Sequence, residues 1–168
     1  SARVDEMLDA VGLDPALVMQ LRQDYPKAGL KPPEVLLPQE FLGAELRAGR
    51  RYPRAQSTAP VRLLSHCTEA TAQPDAGLLW STVFSAMGVA AETPSTGCCG
   101  MAGLFGHQKR HQSVSRKLFD MSWRGKLDDG SVIAASGFSC RCQSERLAGQ
   151  KLRHPLGIVG DLLSRVAN

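Results

Sequence analysis

The sequence predicts an α/β protein with a mainly parallel sheet, and two observations carry that prediction. Apolar runs of four to six residues alternate with helical segments of 10–15 residues, which is the pattern of βαβ units. The runs read as largely apolar rather than alternating, which fits strands buried on both faces. At 168 residues the chain can bury one core of ordinary size.

The elements follow in order. VDEMLDAV, 4–11, is apolar-periodic and reads as a short helix that stops at Gly12. Asp14 is placed to cap the next helix, with Pro15 at its first position and LVMQLRQDY after it, ending near Pro26. KAGLKPP is a linker, held extended by its prolines. VLLP, 35–38, is a short strand, and QEFLGAELRAG, 39–49, a helix that stops at glycine. RYPRAQSTAP is loop. VRLLS, 61–65, VAAE, 89–92, and VIAAS, 132–136, are the three strands of the regular part. PDAGLLWSTVFSAMG, 74–88, is the helix after the first of them. HQKRHQSVSRKLFDMSW, 107–123, is mostly helical, with Val114, Leu118 and Met121 on one face. SERLAG and LGIVGDLLSRV close the chain as helices, broken before Pro155. Trp80 and Trp123 read as packing residues.

Composition excludes several functions. Apolar residues make up 43% and charged residues 21%, as in a soluble globular protein. The net charge of +4 is scattered, and aromatics are only 5%, so nucleic acid is not an expected partner. No apolar run is long enough for a transmembrane segment. The opening SARVDEMLDA is polar and acidic, unlike a signal peptide, and without Met it reads as the start of a fragment. No P-loop, no Ser-His-Asp order and no GxGxxG with a following acid is present.

Five cysteines remain to be explained: Cys67, Cys98, Cys99, Cys140 and Cys142. Their odd number, without an export signal, argues against a disulfide framework and for a cytoplasmic setting. Each group falls just past a predicted strand, so the sequence places all five on loops at the C-terminal ends of strands, where open parallel sheets bind ligands. Gly97 and Gly100 around the Cys98–Cys99 pair give the backbone freedom to wrap around one centre. Three readings stay open. The thiols are soft ligands for zinc or an iron–sulfur centre, or buried free thiols, or a redox pair. His66, beside Cys67, and His107, after the glycine loop, are candidate ligands or proton donors, against the plainer reading of solvated loop residues. His111 reads as a surface residue and His154 as part of a helix start. Glu69 is placed to orient one of the candidate histidines. Arg141 and Arg146 are candidates for receiving an anion.

HCTE at 66–69, TGCCGMAG at 96–103, GH at 106–107, SW at 122–123, SGFSCRCQ at 136–143 and HP at 154–155 carry a resemblance. They resemble the cysteine-rich CCG domain found in heterodisulfide reductases and in the iron–sulfur component of glycolate oxidase. The likeness is closest to the C-terminal part of large FAD-linked oxidases. The resemblance implies three-layer, Rossmann-like units. It implies a [4Fe–4S] cluster or zinc on Cys67, Cys98, Cys99 and Cys140. This chain's CRC is one residue shorter than the family's final motif, which makes Cys142 the least secure ligand. The resemblance also implies a parent with FAD-binding and ferredoxin-like modules acting on a small 2-hydroxy acid, cytoplasmic or peripheral at the inner membrane. Residues 12–26 resemble the tail of a preceding lobe that lacks its cysteine here. Residues 1–58 are therefore expected to be that tail and a linker, and 59–168 the CCG domain. An electron-transfer domain is one expectation; a zinc-binding or metal-free module that docks on the parent and completes its active site is the other.

Overall fold

A computed structural model describes residues 10–55, 59–127 and 130–166. Most of the expected helix over 4–11 lies outside these residues. Its last two residues are a strand instead, β1 (Ala10–Val11), which pairs in parallel with β2 (Val35–Leu36). Between them runs α1 (Pro15–Lys27). Asp14 Oδ1 accepts the backbone N–H of Ala16 at 3.0 Å and of Leu17 at 3.4 Å, and Pro15 occupies the first turn, where a missing N–H costs nothing. Val18, Met19, Val35 and Leu37 form a small core for this part.

The main sheet has three strands in the order β4 (Ala91–Glu92), β3 (Val61–Leu64), β5 (Val132–Ala135), all parallel. Each return between neighbours carries helix, as parallel pairing demands. The helices are α2 (Pro38–Arg47), α3 (Cys67–Ala72), α4 (Ala76–Ala86), α5 (Gln112–Ser122), α6 (Phe138–Ala148) and α7 (Pro155–Val166).

Adjacent residues of β3 serve opposite cores. Leu63 and Ala134 pack with Leu42, Trp80, Val83, Phe84, Ile158, Val159 and Leu162. Leu64 and Ala135 pack with Cys99, Met101, Phe119, Trp123 and Cys140. Strand residues alternate in direction, so a strand with helix-borne cores on both sides carries apolar residues at adjacent positions, as Leu63 and Leu64 do. Both tryptophans are buried.

The apolar face expected on α5 is corrected. Val114 and Met121 are exposed, while Ser115 and Phe119 are fully buried. The glycine loop packs on this helix through backbone and small side chains, so the face that meets it needs a small residue at Ser115.

Asp14 does a second job that ties the two parts together. Its Oδ2 accepts the Phe138 N–H at 2.9 Å, at the start of α6, while its Oδ1 caps α1. One carboxylate thus serves two helix N-termini. His154 adds to the seam: its Nε2 lies 3.1 Å from the Leu13 carbonyl, and its Nδ1 accepts the Leu156 N–H at 3.1 Å at the start of α7. Asp14→Ala is expected to lower stability by about 1–2 kcal/mol, read as a shift in urea midpoint, because it removes both caps at once. Midpoints within error of wild type would show that neither cap matters.

Candidate functional site: a pocket lined by thiols and a histidine

Three segments meet at a pocket of about 440 Å³. The β3–α3 connection brings His66, Cys67 and Thr68; the glycine loop brings Cys98, Cys99, Ala102 and Gly103; the start of α6 brings Phe138 and Ser139; Asp14 and Ala16 close it from α1.

The glycine loop is fastened at several points. Thr96 Oγ1 donates to the Ser65 carbonyl at 2.9 Å, and the Trp123 indole N–H donates to the Gly97 carbonyl at 3.0 Å. Gly100 has φ +82°, and a Cβ there would lie 2.2 Å from the Ser115 carbonyl oxygen. Only glycine fits such an approach. The turn continues through Ala102 at φ +40°, a strained conformation for a residue with a Cβ.

Cys67, Cys98 and Cys99 line the pocket, and Cys140 shares a buried cluster with Cys99. The Cys140 hydrogen bond, with help from the Met101 N–H, brings the Cys99 thiol down to about 7 against the cost of burial. Cys140 is held well above the usual thiol range by Cys99 and then by burial. Burial, and then the neighbouring Cys98 and Cys99, push Cys67 up. Cys98 sulfur also accepts the Gly100 N–H at 3.3 Å.

Cys142 is not brought to the pocket. It packs against the Leu64–Phe119 cluster. The expectation of all five thiols on loops is corrected here: α3 and α6 begin sooner after their strands than the sequence suggests, so Cys67, Cys140 and Cys142 lie in helices. On α6, Cys142 is two positions past Cys140, about 200° around the helix, so both cannot face one point. Among the described residues no group of three or more His, Cys, Asp or Glu stands in position to hold a metal ion.

His66 is held from every side. Its backbone N–H meets Ser136 Oγ at 3.0 Å and Glu69 Oε2 at 3.3 Å. Its Nδ1 accepts the Thr68 N–H at 3.2 Å, and its Nε2 lies 3.5 Å from Ser139 Oγ. A Cβ on Gly137 would sit 2.4 Å from its Cδ2, so glycine there lets the ring lie flat against the α6 start. Burial lowers its pKa, with Asp14 opposing. Glu69 therefore positions His66 by its backbone, not its ring. His107 is exposed, and its Nδ1 lies 3.5 Å from Arg146 rather than at the pocket. Arg141 donates through Nη1 to the Ala135 and Ser136 carbonyls, both at 2.9 Å, and so secures the end of β5. His111 stacks on Phe105. Sequence reasoning misses Asp14, Ser136, Ser139 and Gln39 as part of the site's frame. Ser136 and Ser139 stand within four residues of Cys140, which is a usable signal; Gln39 and the second role of Asp14 leave none.

Fold and pocket together define a parallel α/β domain whose loops and helix starts gather thiols and a histidine. Comparison with known proteins agrees with an origin in a larger oxidoreductase. The chain is 45% identical over 153 residues to a protein of Pseudomonas putida named D-2-hydroxyglutarate dehydrogenase, covering 89% of this chain and 15% of that one. Proteins of the same name from Haemophilus influenzae and Escherichia coli are 34% and 36% identical over 164 and 156 residues, covering 91% and 87% of this chain and 16% and 15% of theirs. The chain is thus homologous to one segment of the D-2-hydroxyglutarate dehydrogenases and spans about 15% of the length of these curated relatives. No family model matches it, and no solved structure does. Among the described residues no helix is long and apolar enough to cross a membrane.

Two outcomes are expected. Gly100→Ala should cost on the order of 2–4 kcal/mol, since a Cβ meets backbone that cannot yield, whereas Gly103→Ala, with φ +62° and open space, should cost about 1 kcal/mol. Equal denaturation midpoints for the two would show that the loop is not seated on α5. The second concerns pH. Burial, then Arg141, lowers His154 from 6.5 to about 4. The folded state therefore binds this proton later than the unfolded one. Its stability contribution is complete above pH 6.5 and is lost as pH falls towards 4. His154→Gln should flatten the fall of urea midpoint across that window, leaving the part due to His66; an unchanged slope would reject it.

Proposed function

We propose that this domain is a docking module of a larger oxidoreductase that oxidises a 2-hydroxy acid, and that its pocket completes that enzyme's active site. The observation that carries this reading is the convergence of His66, Cys67, Cys98 and Cys99 on one pocket. The relatives' name supports the substrate class, and their length leaves room for the modules that would do the oxidation. Removal of electrons from the hydroxy acid belongs in this reading to an FAD-binding module, and their onward passage to a ferredoxin-like one, both outside this chain. Leu13, Leu17, Leu104 and Phe138 are large, exposed, and in or next to the segments that line the pocket. An apolar rim of this kind suits contact with the parent's remaining modules. The helices on both sides of the sheet favour three-layer, Rossmann-like units, with residues 1–58 as the tail of a preceding lobe and 59–168 as the cysteine-rich domain.

His66 has a defined part in this reading. Thr68 N–H occupies its Nδ1, so the neutral ring carries its proton on Nε2. Burial keeps the ring neutral. It therefore presents an N–H to an oxygen of a ligand in the pocket; it polarises and orients rather than taking a proton.

Cys67, Cys98, Cys99 and Cys140 are the residues that would hold a metal centre. Soft, desolvated sulfurs with nearby Gly100 and Met101 amides suit zinc or iron–sulfur by chemistry. Zinc would clamp the three segments, and a [4Fe–4S] cluster would pass single electrons. Among the described residues no group of three or more potential ligands stands together, and this favours the docking module over an electron relay.

Iron, zinc and acid-labile sulfide per chain, measured on protein purified without oxygen, test this choice. The expected result is no sulfide and at most about one zinc per chain. Iron and sulfide near about four each would make the domain an electron carrier instead. In the full-length parent, His66→Ala should lower turnover about 10- to 100-fold, the scale of one lost hydrogen-bond donor to a reacting oxygen. Unchanged turnover would remove His66 from the active site.

A further inference from the structure

We propose that the outer face of α5, with the basic turn before it, is a docking surface for an anionic lipid bilayer. Between Glu92 and Asp120 the sequence holds four cations, Lys109, Arg110, Arg116 and Lys117, and no acid. All four are exposed, and among the described residues none of them is ion-paired. Arg110 Nε donates to a neutral group, Gln108 Oε1, at 3.2 Å. Asp120, the one acid of α5, is held by Arg124 at 2.6 Å. The four charges are left to an outside partner.

Two large apolar side chains stand among these cations. Val114 is 49% exposed and Met121 82%. They lie seven positions apart on α5, and so on one stripe, with Lys117 between them. Ser115 and Phe119 are fully buried, and Ser115 meets the glycine loop. Lys117 follows Ser115 by two positions, about 200° around the helix. One face of α5 thus seats the loop, and the opposite face presents cations around apolar side chains.

That combination decides the kind of partner. A stable protein partner covers roughly 800 Å² in one fitted patch, and two side chains on a convex helix supply a small part of that. Nucleic acid uses aromatic faces for its bases. Here Phe105 is covered by the His111 ring at 4.1 Å, and Phe119 is buried. A bilayer needs no fitted pocket. Anionic headgroups attract each cation, and the long side chains keep their charge at headgroup level while Val114 and Met121 enter the acyl boundary.

The face is separate from the thiol pocket, so its test does not depend on the parent's activity. The chain is sedimented with vesicles of phosphatidylcholine carrying about 30% phosphatidylglycerol. Binding is expected, at least about tenfold weaker on pure phosphatidylcholine and at least about tenfold weaker in about 0.5 M salt. Replacing Lys109, Arg110, Arg116 and Lys117 together by serine should lower binding about tenfold or more. Replacing Arg47, Arg50, Arg51 and Arg54 by serine removes the same charge from another exposed stretch and should leave binding within about twofold. Met121→Trp reads the contact directly: its emission should move to shorter wavelength on the anionic vesicles and stay unchanged on neutral ones. No binding to anionic vesicles, equal losses in the two serine variants, or an indole at position 121 that stays in water would overturn the proposal. Binding to polyglutamate without binding to vesicles would overturn it in favour of an acidic protein.

Discussion

A carboxyl group sealed from water fixes the centre of this domain. Glu69 is fully buried, and its partners are an amide, a hydroxyl and a backbone N–H: Gln39 Nε2 at 2.7 Å, Ser136 Oγ and the His66 N–H. Each comes from a different place: α2, the end of β5, and the turn between β3 and α3. Burial raises the Glu69 pKa, and these hydrogen bonds pull it back. Loss of any partner would leave a buried polar group unmatched, at about 1–3 kcal/mol. The three segments therefore have one mutual arrangement, and His66 takes its position from it.

The glycine loop supplies the other half of the site, and its constraint is closeness rather than charge. Gly97 and Gly106 lie where a Cβ would sit 2.6 Å from Ser122 Oγ and 2.9 Å from Ser115 Oγ. Gly100 needs both the space and the positive φ. The loop lies directly on α5, and Gln143 of α6 donates to Ser115 Oγ at 2.8 Å from the other side. Cys98 and Cys99 are thereby presented by a rigid platform. The strain at Ala102 sits where the loop turns away from α5 to line the pocket.

Much of this is legible in the sequence. The three strands of the main sheet stand where apolar runs predict them, most firmly at β3, where adjacent Leu63 and Leu64 are both buried. Asp14 and Pro15 mark the α1 start through purely local chemistry. The need for glycine beside the cysteine pair follows from the geometry of adjacent side chains. What fails depends on partners far along the chain. The largest apolar residues of α5 mark the wrong face, because the loop packed on that helix selects Ser115. The CRC spacing already makes Cys142 the least secure ligand, and only the position of the α6 start settles that one helix carries both cysteines.

By itself the sequence determined the class of fold, the three strands of its main sheet and most of its helices, and which segments carry thiols. Those are matters of hydrophobic period and local caps, written over a few residues at a time. Tertiary structure alone decided that Asp14 serves two helices, that Gln39 and Ser136 share the Glu69 carboxyl, that His66 lies in the pocket and His107 outside it, and which thiols line that pocket. Such contacts join residues separated by 30 to 124 positions. Their energy depends on distance and burial in space, and no local pattern encodes either.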